Sequence, residues 1–501
     1  MPPPLTVRYP GSVTTKKPLR AKLASSVSRG AAALSRAAGR GDGSVIGGKL
    51  GLMIDPNLLA NLAAGRQIAL VSGTNGKTTT TRLTSAAMGV LGPVATNSFG
   101  ANMPTGHTSA LARAGDTPYA VLEVDEHYLP EVLRSTNPRV VALLNLSRDQ
   151  LDRAKEVAMM AQLWRDTLAA SPVHVVANAD DPMVTWAARA ADVPGAGVTW
   201  VAAGQRWHDD SWVCPECGAH IERTGAVPGS EIADQVPVQD ADNLADPAAE
   251  TVAMVAVAAT AGEPDLAGPT VLLPTVPTAE APASTAGDAP AWPDASAPAA
   301  DGDWWCTGCS LRRPRPQWRV DDEAVIGPDG RRHRVHLSLP GRVNRANAAT
   351  ALAVAATFGV DPADAAPHLS EVASIAGRYA QVERDGRAIR LLLAKNPAGW
   401  LEAFDMAEDA PTLLSINSRD PDGLDTSWLF DVDFSPLRGR RVLITGERAY
   451  DLAVRLEVND VAFTHVRGFA EAVAAVPPGR LEVIANYTAF QDIRAELDRV
   501  N

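Results

Sequence analysis

Val71-Ser72-Gly73-Thr74-Asn75-Gly76-Lys77-Thr78-Thr79-Thr80 decides how the rest of the chain is read. A short apolar run, Gln67-Ile68-Ala69-Leu70, precedes it, and Arg82 to Met88 follows as a helix. Strand, glycine-turned loop and helix N-terminus together make a phosphate cradle, because inward-pointing N–H groups and the helix dipole both favour an anion. In such a loop Lys77 reaches the β- and γ-phosphates and the Thr78 hydroxyl faces Mg²⁺. Gly73, Thr74, Asn75, Gly76 and Thr79 complete the wrap. The general pattern has a glycine five residues before the Gly-Lys pair, where this chain has Val71. An ordinary Gly/Asn turn is the simpler reading, but it does not account for Gly-Lys-Thr set between a strand and a helix.

Working outward, 501 residues are too many for one compact core and imply two or three domains. Hydrophobic residues make up 46% and charged residues 21%, a globular balance, and the formal net charge of -12 argues against a general nucleic-acid binder. No apolar run approaches the ~20 residues that span a bilayer. Met1-Pro2-Pro3-Pro4 lacks the apolar core of a signal peptide, so a cytoplasmic location is expected. Residues 16 to 40 carry Lys16, Lys17, Arg20, Lys22, Arg29, Arg36 and Arg40 and no acidic side chain. That segment is helix-prone and either meets anionic head groups or packs on the domain with solvated arginines.

Beyond the loop, strands and helical stretches alternate, which indicates βα units and a mainly parallel sheet. Tyr119 to Val124 is a buried-strand pattern that runs into Asp125 and Glu126. A Glu at a strand tip beside a phosphate loop suits Mg²⁺, so Glu123 is the metal candidate, with a solvated strand end as the alternative. Val140 to Asn145 and Val173 to Asn178 are the next strands.

All four cysteines lie in two pairs, Cys214-Pro215-Glu216-Cys217 and Cys306-Thr307-Gly308-Cys309. Two such knuckles form a structural zinc ribbon, whose closed thiolate shell stabilises and leaves no position for catalysis. Residues 218–305 separate them, and the Pro/Ala/Thr-rich part of that span reads as a disordered insertion. Trp207, Trp212, Trp304, Trp305 and Trp318 are expected to form the ribbon's small apolar core. Folding resumes at Arg334, with Asn344 and Asn347 entering an alanine-rich helix over 348–357. Strand candidates at 390–394, 412–417, 441–445 and 481–484 then define a second α/β unit. Its oddest stretch follows the second of these, where Asp420, Asp422, Asp425, Asp431 and Asp433 alternate with Trp428, Phe430 and Phe434. A solvated acidic loop is the bland reading; the interleaved aromatic rings favour a loop fixed in place for function.

Five stretches, in order, resemble the Mur ligase superfamily: Gly73 to Thr79; Asn145-x-x-x-Asp149-x-x-Asp152; Asn178-Ala179-Asp180-Asp181-Pro182; Pro340-Gly341-x-x-Asn344-x-x-Asn347-Ala348; and Ala394-Lys395-Asn396-Pro397. The resemblance implies an α/β fold with a P-loop central domain on a parallel sheet, an inserted Cys₄ zinc ribbon and a Rossmann-like C-terminal α/β domain. The expected boundaries are a basic extension at 1–52, a central ATP-binding domain at 53–375 with the ribbon at 205–320 (disordered over about 226–300), and a C-terminal domain at 376–501. It is closest to the branch formed by the ATP-using subunits of lipid II isoglutaminyl synthases. These carry the ribbon and an Asp-Gly-x-Asp-x-Ser-Trp loop, here Asp422 to Trp428.

That branch implies ATP on Gly73 to Thr79 with Asn145 and Asn347 contributing, Mg²⁺ on Thr78 and Glu123, and carboxylate activation by phosphoryl transfer. Lys77 and the C-domain Lys395 would stabilise the developing charge. The substrate would be lipid II and the nucleophile ammonia from a GatD-like glutamine amidotransferase, whose Cys-His pair Asp425, or else Asp422, would complete. Departures stand beside these matches. The superfamily's His after the first aspartate is Gln150, its downstream lysine falls near Arg165, and its Asp-x-Ala-His-Asn-Pro motif is Leu392-Leu393-Ala394-Lys395-Asn396-Pro397. Two other readings remain: a stand-alone amino-acid ligase of Mur or folylpolyglutamate type, and a non-enzymatic P-loop scaffold.

Overall fold

A computed structural model describes residues 18–38, 43–97, 100–148, 157–193, 196–224, 303–321, 324–372, 379–407 and 409–499. Three helices, α1 (Leu19–Ala37), α2 (Ser44–Ile54) and α3 (Leu58–Ala63), precede strand β1 (Gln67–Ser72) and helix α4 (Lys77–Met88). The alternation continues through β2 (Val94–Thr96), α5 (Pro104–Arg113), β3 (Tyr119–Glu123), α6 (Leu129–Thr136), β4 (Val140–Leu143), α7 (Val157–Ala169), β5 (His174–Asn178), α8 (Pro182–Ala188) and β6 (Gly197–Ala202). Ribbon strands β7 (Ile221–Arg223) and β8 (Trp304–Cys306) come next, then β9 (Trp318–Val320), β10 (Ala324–Ile326), β11 (Arg332–Arg334) and helix α9 (Arg342–Thr357).

Among the described residues the first sheet has the order β11-β10-β9-β6-β5-β4-β1-β3-β2, parallel from β9 to β2, with β10 and β11 closing one edge antiparallel. Ile68 to Val71 are fully buried because helices cover both faces, which is why β1 reads as an unbroken apolar run. On one face α4 and α9 pack through Leu83, Met88, Ala348 and Leu352; on the other, Leu58, Leu111, Leu129, Trp164 and Met183 fill the space under the remaining helices. β1 lies between β3 and β4. The chain leaves its carboxyl end at the point where strand order reverses, the crevice in which open α/β sheets take ligands.

The second sheet is built from β12 (Tyr379–Arg384), β13 (Arg387–Leu393), β14 (Thr412–Ser415), β15 (Val442–Thr445), β16 (Phe463–His465) and β17 (Gly479–Ala485). Its order is β12-β13-β17-β14-β15-β16, with only β12 antiparallel. Helices α11 (Pro397–Met406), α12 (Ala449–Val458), α13 (Phe469–Ala475) and α14 (Tyr487–Asp498) cover it, α10 (Pro362–Ala365) having closed the first unit. Arg390 and Glu482 meet inside this sheet as a bidentate pair, Nε–Oε2 2.8 Å and Nη2–Oε1 2.7 Å.

Two sequence expectations are corrected. Trp318 does not join the ribbon: it pairs with Val201 in the first sheet and packs beside Val325 and Leu352. Trp207 instead lines the cleft described below, its Nε1 donating to Asp210 at 2.6 Å. The alanine-rich helix also starts earlier than expected, at Arg342, so Asn344 and Asn347 project from its first turns. Asp149, Gln150, Asp152 and the Pro/Ala/Thr-rich insertion lie outside the described residues.

Candidate active site

Gly76 takes the left-handed conformation (φ 83°) where the loop turns into α4, and Gly73 has φ 146°. A Cβ on Gly76 would lie 2.8 Å from Asn347 Oδ1, and one on Gly73 2.8 Å from Leu144 Cβ, so both positions exclude a side chain twice over. The segment after β4 holds the loop in shape. Asn75 N donates to Asn145 Oδ1 at 2.8 Å, Asn145 Nδ2 returns to Asn75 O at 3.1 Å, and Thr74 N donates to Asn145 O at 2.9 Å. Asn145 therefore positions the loop.

Lys77 Nζ forms a buried ion pair with Glu126 Oε2 at 2.9 Å. Sequence reasoning noticed Glu126 only as one of several carboxylates after β3; the turn over 126–128 is what aims it at Lys77. Thr78 Oγ1 donates to Glu123 Oε2 at 2.8 Å, while Glu123 Oε1 is buried and accepts no hydrogen bond. A buried orphan carboxylate oxygen beside a threonine hydroxyl is an oxygen donor set that fits Mg²⁺. Glu123 is fixed through its backbone: Asn97 clamps its N and O, both at 2.8 Å, and His107 Nε2 donates to its O at 2.7 Å. Burial pushes His107 down to about 4, so the ring is neutral at pH 7.

A cleft opens beside the loop, lined by Asn75, Asn145, Asn347, Gln205, Trp207 and, from α11, Glu402. Asn347 Oδ1 accepts from Thr80 Oγ1 at 3.1 Å, tying α9 to α4. Glu402 was not singled out from the sequence. Burial first, and Asp405 second, push its carboxyl up to about 7 against the opposing Arg206 and Arg342. The Asn178 to Pro182 motif frames the same cleft. Asn178 Nδ2 donates to Gln205 Oε1 at 2.7 Å, and Asp181 caps α8 while accepting from Leu146 N at 2.9 Å. Arg165, near where the superfamily has a lysine, lies over the Trp186 ring at 4.8 Å and donates to its carbonyl, a packing role. Lys395 is half-buried between β13 and α11, next to Asn396, whose Oδ1 caps that helix through Gly399 N at 2.9 Å.

The four cysteines converge, with all Sγ atoms within 4.8 Å of one another. Cys214–Cys309 is 3.7 Å and Cys217–Cys306 is 3.4 Å. Tetrahedral zinc with ~2.3 Å bonds needs sulfur separations of about 3.8 Å, so the residues fit the metal. The ribbon anchors on the cleft motif: Trp304 Nε1 donates to Ala179 O at 3.0 Å, and Arg313 Nε to Asp180 Oδ1 at 2.7 Å. Stripping the metal with a strong chelator is therefore expected to lower thermal stability. A loss of only ~2 kcal/mol gives roughly 4–8 °C at this domain size, which differential scanning fluorimetry resolves. An unchanged melting temperature in metal-free protein would contradict a structural metal.

The acidic loop divides its aspartates between two jobs. Asp422 is buried and accepts from Thr488 N at 2.8 Å and Arg419 N at 3.2 Å, so it fastens the loop to the start of α14. Asp425 is exposed, and its only described backbone contact is Ser427 N at 2.8 Å, which holds the carboxyl below its ordinary range. Trp428 and Phe434 sink into an aromatic cluster with Trp400 and Phe404, whereas Phe430, expected to help fix the loop, is exposed against Arg455. Arg148, just after β4, reaches Asp431 at 3.2 Å.

The Mur ligase middle domain family matches residues 71–212, and the MurT ligase C-terminal family matches residues 393–490. Among solved structures, a pseudomurein peptide ligase type C from Methanothermus fervidus superposes with a TM-score of 0.56 at 15% identity, covering 87% of this chain and 79% of that one. MurF from Acinetobacter baumannii gives 0.55 at 13% identity, over 90% and 80%. Phosphate loop, sheet order and family matches make the chain similar to Mur-type ligases in both of its α/β units. Among these, it is similar to the MurT subunits of lipid II isoglutaminyl synthase (glutamine-hydrolyzing). The subunit of Staphylococcus aureus (strain COL) is 24% identical over 93% of this chain and 95% of its own length. That of Streptococcus pneumoniae is 24% identical over 91% and 92%.

Proposed function

We propose that this chain is the ATP-using subunit of a lipid II isoglutaminyl synthase, amidating the α-carboxylate of D-glutamate in lipid II during peptidoglycan synthesis. The observation that carries the reading is the pairing of a Mur-type phosphate loop with a rigidly anchored loop that exposes Asp425, in a chain similar end to end to MurT subunits. ATP lies along Gly73 to Thr79, with its base in the cleft beside Asn347 and Trp207. Thr78 and Glu123 would hold Mg²⁺, which screens the charge on the phosphate oxygens when bound. The substrate carboxylate attacks the γ-phosphorus, ADP leaves, and an acyl phosphate forms. Lys77 turns from Glu126 to the transferring phosphoryl group, and its charge stabilises the oxygens that become more negative. Lys395 is assigned to the same charge from the C-terminal side. Ammonia then attacks the acyl carbon and inorganic phosphate departs, leaving D-isoglutamine.

The chain has four cysteines, and all of them converge at one cluster, so no further cysteine is present to hydrolyse glutamine. A GatD-like glutaminase supplies the ammonia, docking over the acidic loop where Leu424 and Phe430 are exposed. Asp425 orients that partner's histidine, as the acidic member of a Cys-His-Asp set does. The work is done at the cytoplasmic face of the membrane, where the lipid II headgroup is presented; no described helix is long and apolar enough to cross it. A phosphate-release assay on the co-purified pair tests the reading. Release is expected only when ATP, lipid II and a nitrogen source are present together, and release without lipid II would refute it.

A further inference from the structure

α1 and α2 pack inside out. The residues α1 buries are small, among them Ala21, Ala24, Ser28 and Ala32, and α2 buries Gly47, Gly48 and Gly51. A Cβ on Gly47 would lie 2.6 Å from Ser28 O, and one on Gly48 1.8 Å from Thr105 O, so the backbones themselves touch and the inner face has no room for large side chains. α2 is thus pressed between α1 and the start of α5, and Arg29 ties α1 to the end of α5 through Ala112 O. Apart from Leu52 and Ile54, which pack on the core near the end of α2, the large apolar side chains point the other way. Leu19, Leu23 and Leu34 on α1, and Ile46, Leu50 and Met53 on α2, are 38–85% exposed. Their spacings, four residues within 19–23 and three to four within 46–53, keep each set on one helical face.

Cations share that outer surface. Arg20, Lys22, Arg36 and Lys49 are exposed, and residues 18–38 and 43–54 contain no aspartate or glutamate. Asp42, between the two helices, lies outside the described residues, and Asp55, after α2, is buried and turned onto Asn57 N (3.1 Å) and Asn61 Nδ2 (2.9 Å). This is unexpected in a chain of net charge -12, whose acids dominate elsewhere. A protein core would take the leucines inward, and a purely solvated pair would carry acids among the bases. Large apolar groups interleaved with lysine and arginine, on a rigid two-helix platform, match the boundary between acyl chains and anionic head groups.

We infer that the outer face of the α1–α2 pair is a docking surface for an anionic phospholipid bilayer. The apolar side chains enter the acyl boundary, and the flanking cations meet phosphate groups. The inference stands apart from the amidation reaction, and its test uses vesicles free of lipid II and ATP, so the two fail separately.

The full chain is mixed with phosphatidylglycerol/phosphatidylcholine vesicles and with pure phosphatidylcholine vesicles, and the bound fraction is read by flotation. Binding is expected to the anionic vesicles and to fall with added salt. Lys22→Gln with Lys49→Gln is expected to lower the partition coefficient roughly 30-fold, at about fivefold per cation. Leu23→Ser with Ile46→Ser is expected to abolish binding while the melting temperature holds, since both side chains already face solvent. No binding to anionic vesicles, or equal binding to neutral ones, overturns the inference. So does a dimer in light scattering that Leu23→Ser with Ile46→Ser dissolves, because the face would then be covered by a second copy of the chain.

Discussion

Lys77→Met is expected to lower ATP-dependent amidation by at least about 10²–10³-fold, the scale for losing a preorganised donor aimed at developing charge. The same substitution removes half of a buried ion pair, since Lys77 Nζ and Glu126 Oε2 stand 2.9 Å apart with little solvent access. Leaving the Glu126 carboxylate unpartnered costs on the order of 3 kcal/mol, so the single variant is expected to melt early. Lys77→Met with Glu126→Gln makes the site neutral and separates the two effects. Stability is expected to return in the double variant while amidation stays lost. Recovery of activity together with stability would mean that Lys77 serves the fold and not the transfer. Glu126→Gln alone is expected to keep the chemistry, because the proposed mechanism has the lysine leave that carboxylate for the phosphate.

Asp425→Asn is expected to separate the two half-reactions. In the co-purified pair, glutamine-driven amidation should fall by about 10⁴-fold, the loss seen when the acidic member of a triad becomes an amide. Amidation driven by added ammonium should persist, because the phosphate loop and cleft are untouched. Asp422→Asn should behave differently. Its carboxylate accepts from Thr488 N and Arg419 N inside the fold, so the variant is expected to melt earlier and to lose both activities in parallel. If Asp425→Asn hydrolyses glutamine at the wild-type rate, the assignment of that residue to the partner's site fails.

The sequence carried the parts of this site that depend on local chemistry. Gly73, Gly76, Lys77 and Thr78 are legible because backbone conformation and phosphate contact dictate residue type within a few positions. The convergence of the four cysteines is legible because a metal held by them would fix both identity and spacing. What stayed hidden depends on contacts between distant segments. Glu126 meets Lys77 only because β3 lies beside β1, and Glu402 reaches the cleft only when α11 packs near α9. Trp318 misled because proximity in sequence to Cys309 suggested the ribbon, whereas strand pairing with Val201 draws it into the sheet. Phe430 misled for the complementary reason: alternation with Trp428 and Phe434 suggested a shared core, but its ring points outward onto Arg455. The same blindness hid the inverted packing of α1 and α2. Composition revealed a basic helix, but only burial shows that its leucines face outward.

The decisive measurement is the mass of lipid II after incubation with ATP, glutamine and the co-purified pair of this chain and the proposed glutaminase. Each stem is predicted to lose mass equal to the difference between a hydroxyl and an amino group, with one ADP formed per stem, and fragmentation is predicted to locate the new amide on the α-carboxyl of D-glutamate. Lipid II of unchanged mass from a pair that hydrolyses ATP, or a stem extended by an amino acid, would contradict the account.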